Sequence, residues 1–552
     1  MNLDQEKIKE ILLKENYIEK SDGEKADEFV KNKEGSFLDY FMLRGLLTED
    51  LLGQALAEYF KVSYLNLNTN IPDKNLVLKI PEQLAKKFRV ILAKETEKTV
   101  VVATDDPLAN GLEEELGKIF SGKKISICFS LSQDIDSLLL FYKKSLGARF
   151  DEIIKGGSKV ALEIVDEILE EALSSKASDI HFDPQENEVL IRLRIDGFLH
   201  EIGRISKNYY ENILNRIKVQ SNMKIDEHFS AQDGAIRYKK NGQVIDMRVS
   251  TVPTLDGEKI SIRPLVKHAK NFSLDDLGLS KNQQKLILKA AKKPAGMILV
   301  AGPTGSGKTT TLYTLLKQLN NPEVNITTIE DPVEYKIPGV NHIQVNSATN
   351  MTFAEALKFV VRQDPNIILV GEIRDKETAA ISVSAALTGH LIFSTYHAND
   401  AASVIPRFLE MGVEPFNLSL TLKLVISQRL VRKICSKCRY SYKISIKELS
   451  EIFPEAERFF GQDETTFYKG KGCPNCSETG YRGRTGVFEI IDISPEIEAL
   501  MLKNCSAEQI WNMEKKQGLE PIFNDGLEKV KNGATTIEEL LRVVNPPEET
   551  KE

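Results

Sequence analysis

The stretch that most constrains this 552-residue chain is GMILVAGPTGSGKTTTLYTLLKQL, residues 296–319. A run of apolar residues, MILVA, reads as a strand covered on both faces. It enters a loop, Gly302-Pro303-Thr304-Gly305-Ser306-Gly307-Lys308-Thr309, after which apolar residues recur at helical spacing. Glycines at those positions let successive backbone N–H groups wrap a polyphosphate, and the helix N-terminus adds the positive end of its dipole. In that arrangement Lys308 reaches the β and γ phosphates and Thr309 offers its hydroxyl to Mg²⁺. Gly302, Thr304, Gly305, Ser306, Gly307 and Thr310 complete the cradle. A chance Gly-rich turn would require neither the strand before it nor the helix after it. ATP and Mg²⁺ are the expected ligands.

Two acidic strand ends follow. NITTIEDPVEY (325–335) ends in Glu330, Asp331 and Glu334, and NIILVGEIRD (366–375) places Glu372 directly after Gly371. Strands alternating with helices predict a parallel sheet, in which these strand ends share the edge that carries the phosphate loop. Acids there can orient water and hold the Mg²⁺ shell, although single acids at strand ends are commonly no more than solvated turn residues. LTGHLIFSTYHAND adds His390 and His397. On chemistry alone, each is as readily a hydrogen-bonded core residue as a functional one.

The length predicts several domains. Residues 1–62 read as amphipathic helices, as in EDLLGQALAEYF, and 63–145 as a small α/β domain with strands in VSYLNL, RVILAKE and TVVVAT. Residues 146–159, with Gly156-Gly157-Ser158 and no clear period, read as a linker. Residues 160–266 open with the helix ALEIVDEILEEALSSK and continue as alternating strands, with Asn241-Gly242 as a hairpin turn. The α/β core spans 267–430, a cysteine-bearing insertion 431–485 and a helical part 486–545. The charged tail 546–552 is expected to be disordered. The start, MNLDQEKIKE, lacks the apolar core of a signal peptide, and no run reaches the ~18 apolar residues of a membrane span. A cytoplasmic protein is therefore expected.

Four of the six cysteines form two Cys-x-x-Cys pairs, Cys435 with Cys438 and Cys473 with Cys476, separated by 34 residues. Each pair can clamp one side of a tetrahedral ion. Thiolates suit Zn²⁺, and four protein ligands leave no open position, so a structural zinc site is expected. A redox pair is one alternative. A nucleic-acid-binding ribbon is another, given Lys433, Lys437 and Arg439 nearby. Cys128, in ISICF, reads as a buried small hydrophobe; the sequence does not place Cys505.

The phosphate loop, IEDPVE, VGEIRD and TGHLIFSTYHANDA occur in an order that resembles the type IV pilus assembly (extension) and type II secretion ATPases, over residues from about 160 to 545. The resemblance implies a multidomain α/β protein. A RecA-like parallel-sheet ATPase core would follow a PAS-like α+β second domain, with a zinc-binding insertion and an α/β N-terminal domain preceded by helices. It implies that Glu372 takes the Walker B role around Mg²⁺ and the attacking water, and that Glu334 is the general base or water-positioning residue. His390 and His397 match a histidine box that couples nucleotide state to the neighbouring sheet; Tyr396 and Ala398 stand where Leu and Thr are commoner. ASDIHFDP, IRLRIDG and SAQDGAIRY match the second domain. DMRVSTVPTLDGEKISIRPL sets Arg248 and Arg263 where the family carries arginine fingers, which neutralise charge building on the γ-phosphate. Arg192 and Arg194 read as surface or interface residues. The tetracysteine element, flanked by QRLVRKIC and GYRGRTGVFEII, is a feature of assembly-type members.

EGSFLDYFMLRGLLTEDLLGQALAEYF resembles the family's N-terminal helical domain. Some members bind cyclic di-GMP there through an Arg-Leu-Gly start and a closing Gln. This chain has Ser36-Phe37-Leu38 and Tyr59 at those positions and keeps the apolar frame of Gly45, Leu52 and Leu56. A docking domain that does not take cyclic di-GMP is expected. The implied machine is a homohexameric motor with ATP held between the second domain and the core. It would drive pilin polymerisation through an inner-membrane platform protein, and meet a peripheral assembly protein through its N-terminal region. Type II secretion or competence pseudopilus assembly would use the same engine. The alternative of another class is a DNA-translocating ATPase, which a chain of net charge -7 does not favour, so no DNA is expected.

Overall fold

The structure, a computed structural model, describes residues 5–15, 17–31, 36–43, 46–142, 146–156, 160–240, 243–265, 272–346, 349–461, 464–518 and 520–547. Gly45, Gly157-Ser158, Asn241-Gly242, the stretch 266–271 and the tail from 548 lie outside the described residues. The chain divides into two compact units. One comprises Met1–Ala148, Cys435–Tyr440 and Gly470–Tyr481; the other comprises Arg149–Ile434, Ser441–Lys469 and Arg482–Glu552.

The first unit opens with the helices Gln5–Lys14, Lys20–Lys31, Phe37–Leu43 and Glu49–Phe60. The last begins where the Thr48 hydroxyl accepts the Leu51 N–H, satisfying a donor that has no partner within the helix. Its apolar stripe, Leu52, Ala55, Leu56 and Phe60, is buried with Ile11, Phe37 and Phe41. A four-stranded sheet follows in the order Ser63–Tyr64, Lys124–Phe129, Thr99–Thr104, Val90–Glu95. The first three strands run parallel and the last pair antiparallel. Cys128 lies buried in Lys124–Phe129, as a small hydrophobe should.

Residues 146–156, read from the sequence as part of a linker without clear period, are helical. Leu146–Gly156 is a helix in which Leu146 and Phe150 are buried, and Arg149 pairs with Glu167 and Glu171. One apolar pair at i, i+4 next to two glycines is a faint periodic signal, and long-range pairing by Arg149 completes what the local sequence leaves weak.

In the second unit, the helices Val160–Ser174 and Lys207–Gln220 pack together beside a six-stranded sheet. Its order is Phe198–Ser206, Glu188–Ile195, Asp179–Pro184, Gly257–Leu265, Gln243–Thr254, Gln232–Lys240, with every neighbouring pair antiparallel. The last two strands pair up to Lys240 and Gln243, the residues flanking the expected hairpin turn.

The core sheet has seven strands, in the order Val340–Gln344, Ile326–Glu330, Ile367–Val370, Leu391–Tyr396, Gly296–Ala301, Leu422–Ile434, Tyr481–Asp492. The first six run parallel. Apolar side chains cover both faces. Met297, Leu299, Ile368, Val370 and Ile392 join one cluster; Ile298, Val300, Leu369 and Phe393 join the other, with Leu312 and Leu315 of the phosphate-loop helix. Strands covered on both sides must read as unbroken apolar runs, which is what MILVA and IILV are. Cys505 is buried in the first of these clusters.

The insertion 431–485 does not fold as one lobe. Leu449, Phe453 and Phe467 from its middle are buried with Val431, Phe523, Leu527 and Leu540 in the second unit, whereas the cysteine pairs belong to the first. Among the described residues, no helix is long and apolar enough to cross a membrane.

Gly234 tests the second domain. A Cβ there would lie 2.2 Å from the backbone oxygen of Ser221. Backbone cannot yield as a side-chain tip can, so Gly234→Ala should cost about 1–3 kcal/mol. The thermal transition reporting this domain should move to lower temperature.

Candidate nucleotide site and tetracysteine centre

The strand Gly296–Ala301 is buried at every residue and delivers the loop 302–307 to the helix Lys308–Leu319. Gly302, Gly305 and Gly307 all have positive φ, a region that L side chains rarely adopt. A Cβ on Gly302 would strike the Gln428 backbone oxygen at 2.6 Å, whereas one on Gly305 would meet nothing within 4 Å. The loop is thus held tightly on its sheet side and open on the other. The Lys308 ammonium is folded onto the carbonyls of Gly302 and Pro303, at 2.8 and 3.1 Å. Burial lowers its pKa, and nearby Glu372 works against that shift. The Ser306 hydroxyl is buried with no partner. A loop of left-handed glycines, one orphaned hydroxyl and a desolvated ammonium fit a polyphosphate. Thr304 is exposed; Thr309 and Thr310 are half-buried in the first helical turn, where a Mg²⁺-binding hydroxyl would be needed.

Sequence reasoning missed the residue that holds the loop. Gln428, 1% exposed, donates to the Ser306 carbonyl at 2.8 Å and accepts from the Thr311 hydroxyl at 2.7 Å. The next residue, Arg429, donates to the Asn399 and Gln428 carbonyls; burial lowers its pKa, and its charge reaches Lys308. The signal was a polar pair, QR, at the end of the apolar run LKLVIS.

The parallel register aligns the acidic strand ends. Ile329 pairs with Val370, Val370 with Ser394, and Ala301 with Tyr396, so Glu330, Glu372 and His397 emerge at the edge of the phosphate loop. Gly371 has a physical role: its N–H donates to the Ile329 carbonyl at 2.8 Å, and a Cβ would lie 3.1 Å from that oxygen. Glu372 accepts from Arg374 at 2.5 Å and lies 3.5 Å from His397 Nε2. Burial, then the Lys308 charge, hold His397 below the usual histidine range, so at pH 7 this is a contact of a neutral ring rather than an ion pair. His390 is elsewhere. It precedes the strand at the opposite edge, where its Nδ1 bonds the Ala385 carbonyl.

The two glutamates of the acidic turn differ. Glu330 is 3% exposed; it accepts from the Thr328 hydroxyl at 2.6 Å and from the Tyr313 phenol, with His342 Nδ1 at 3.2 Å. His342 Nε2 accepts the Ile337 N–H, so its proton is on Nδ1, facing Glu330. Tyr313, pushed up by burial and by Glu330, also meets the Glu334 backbone N–H. Glu334 itself is exposed. Arg248 donates to the Val333 carbonyl at 3.2 Å, one residue from Glu334. Arg263 is bound by Asp179 at 2.8 Å within its own sheet and is not brought to the loop. Arg192 and Arg194 are likewise engaged locally, with Asp183 and the Gly197 carbonyl.

In the first unit, Cys435, Cys438, Cys473 and Cys476 are all buried, with Sγ atoms within 4.8 Å of one another. Cys473–Cys476 is 3.7 Å; Cys435–Cys473 and Cys438–Cys476 are each 3.9 Å. A tetrahedron with metal–sulfur bonds of about 2.3 Å has edges of about 3.8 Å, so the donor set fits Zn²⁺. A disulfide needs sulfurs about 2.05 Å apart. Lys437, between the first two cysteines, is engaged within the protein. It donates to buried Asp134 at 3.0 Å and to Glu49 at 3.4 Å, and although burial opposes it, Asp134 raises its pKa.

Two outcomes follow at the nucleotide site. Gln428→Ala strands a buried carbonyl and hydroxyl at about 1–3 kcal/mol, so titration with a fluorescent ATP analogue should show affinity weakened about tenfold or more. Because His397 takes its proton only below its ordinary pKa of about 6.5, hydrolysis should be level between pH 8 and 7 and fall on an acid limb below that value. His397→Gln should lose the limb.

Residues 155–542 match the family described as type II/IV secretion system protein, and residues 60–145 match the MshEN domain. The chain is 36% identical over 530 residues to the type IV pilus assembly ATPase PilB of Thermus thermophilus, covering 92% of this chain; it spans 59% of that relative's length. It is 42% identical over 384 residues to type II secretion system protein E of Pseudomonas aeruginosa, covering 69% of this chain and 75% of that one. The structure of the ATPase DotB of Yersinia pseudotuberculosis shares the fold, with a TM-score of 0.51 at 19% identity over 69% of this chain and 93% of that one. The chain belongs to the type II/IV secretion system protein family, and its fold is multidomain α/β with a RecA-like core.

Proposed function

We propose that the chain is the cytoplasmic motor of type IV pilus extension, turning ATP hydrolysis into pilin polymerisation through an inner-membrane platform protein. The observation that carries the reading is the convergence of Lys308, Glu372, His397 and the Arg248-bound acidic turn at one edge of the core sheet. Similarity to a pilus assembly ATPase extends over 92% of the chain, N-terminal region included, which favours pilus extension. Type II secretion is the second reading, favoured by the higher identity over the ATPase portion.

The roles follow from chemistry. Mg²⁺, held by Thr309 and water, would neutralise charge between the β and γ phosphates. Lys308 would bind β- and γ-phosphate oxygens, Glu372 would help hold the Mg²⁺ shell and orient the water, and Glu334, exposed at the end of its turn, would position the water or accept its proton. Arg248 lies close enough to follow the acidic turn. Arg263 must leave Asp179 to reach a phosphate, a motion that closure of the second domain would supply. The working form is a homohexamer at the cytoplasmic face of the inner membrane, its N-terminal domain meeting a peripheral assembly protein. The tetracysteine centre holds a structural Zn²⁺. Ser36 and Tyr59 in place of the polar contacts argue that cyclic di-GMP is not a ligand.

The test is the hydrolysis rate of the purified protein alone, with the platform protein's cytoplasmic domain, and with DNA. Stimulation by the platform domain is expected, with Glu372→Gln slower by about 100-fold or more. Stimulation by DNA alone would overturn the reading.

A further inference from the structure

The four cysteines lie far along the chain from residues 1–148, yet the two belong to the same compact unit. The contacts that join them are specific. Lys437, inside the first Cys-x-x-Cys pair, is 15% exposed and reaches Asp134 and Glu49. Asp134 is 1% exposed, lies in the first turn of the helix Ser132–Leu139, and has no partner for its second oxygen. Glu49 begins the helix Glu49–Phe60. Ile71 packs on the cysteine cluster, which contains no buried apolar residue besides the cysteines themselves among the described residues.

The turn carrying Lys437 therefore has few sources of order. Cys438 N–H bonds the Cys435 carbonyl, Lys471 N–H bonds Cys438, and Cys435 N–H bonds Gly480. These bonds shape the two cysteine turns but bring no core of their own. A tetrahedral ion would fix both turns at once and set the position of the Lys437 backbone between two of its ligands. We propose that the tetracysteine centre, when metal-bound, is the clasp that seats this distant segment on the N-terminal domain, with Lys437 delivered to Asp134 and Glu49 as its anchor.

The consequence lies in chain connectivity. The strand Leu422–Ile434, which carries Gln428, ends directly before Cys435, and Tyr481–Asp492 begins five residues after Cys476. With the clasp closed, the segments that continue into those strands are held to residues 1–148; with it open, they are not. The seating of 435–440 and 470–481 on the N-terminal domain is then metal-dependent, whichever machine the motor drives.

The experiment uses the full-length protein. Zinc is counted by elemental mass spectrometry, and hydrogen–deuterium exchange is followed before and after the ion is extracted with a mercurial reagent and chelator. About one zinc per chain is expected. Its removal should speed exchange about tenfold or more in peptides covering 49–60 and 132–139 while leaving 296–319 unchanged. Lys437→Met should keep the zinc and give the same acceleration, because Asp134 is left buried without its counter-ion. Asp134→Asn, nearly isosteric, is the second variant should Lys437→Met prove insoluble. The inference is overturned if the native chain holds no zinc, or if 49–60 and 132–139 keep their protection in the metal-free protein or the variant. It is equally overturned if 296–319 opens with them, as general unfolding would require.

Discussion

Gly296–Ala301 runs between two parallel neighbours with every side chain buried, and the rest of the site depends on that placement. A strand covered on both faces cannot shift register without exposing apolar surface or splitting the clusters above and below. Its end is therefore a fixed point, from which the loop, Glu372 on the next strand but one and His397 on the nearest are set at defined offsets. The loop itself, lacking side chains at three positions, is kept in shape from outside. Gln428 bonds it from the neighbouring strand and ties it to Thr311 of the helix.

The acidic turn is fixed by a second device. Burying Glu330 would be costly without partners, and it has them in Thr328, Tyr313 and the Nδ1–H of His342. Tyr313 belongs to the helix that Lys308 begins, so the helix that follows the loop also holds the turn bearing Glu334, from a residue five positions along. Arg248 bonds this turn from the second domain. The helix of Lys308, the turn bearing Glu334, and Arg248 are thereby linked through one short segment, Asp331 to Tyr335.

The cysteine region shows how chain order and spatial order part. Its middle contributes Leu449, Phe453 and Phe467 to a core built with the C-terminal helices, while its four sulfurs gather in the other unit. A tetrahedral ion can unite pairs from any sequence separation, because its geometry is indifferent to what lies between them.

The sequence by itself determined the glycine-rich loop, the parallel sheet, both acidic strand ends and the pairing of four cysteines in two Cys-x-x-Cys turns. Each is a local pattern whose chemistry needs particular residue types at a fixed spacing. Tertiary structure decided the rest. It separated His390 from His397, which lie at opposite ends of one strand, and Glu330 from Glu334, of which one is locked in a buried network and the other exposed. It made a helix of 146–156, where Arg149 finds its acids in the helix that follows. It brought in Gln428, whose partners are more than a hundred residues away in the chain. Such contacts are not legible in one dimension, because a buried polar group is defined by what the fold sets opposite it and no periodicity in its own segment records that partner.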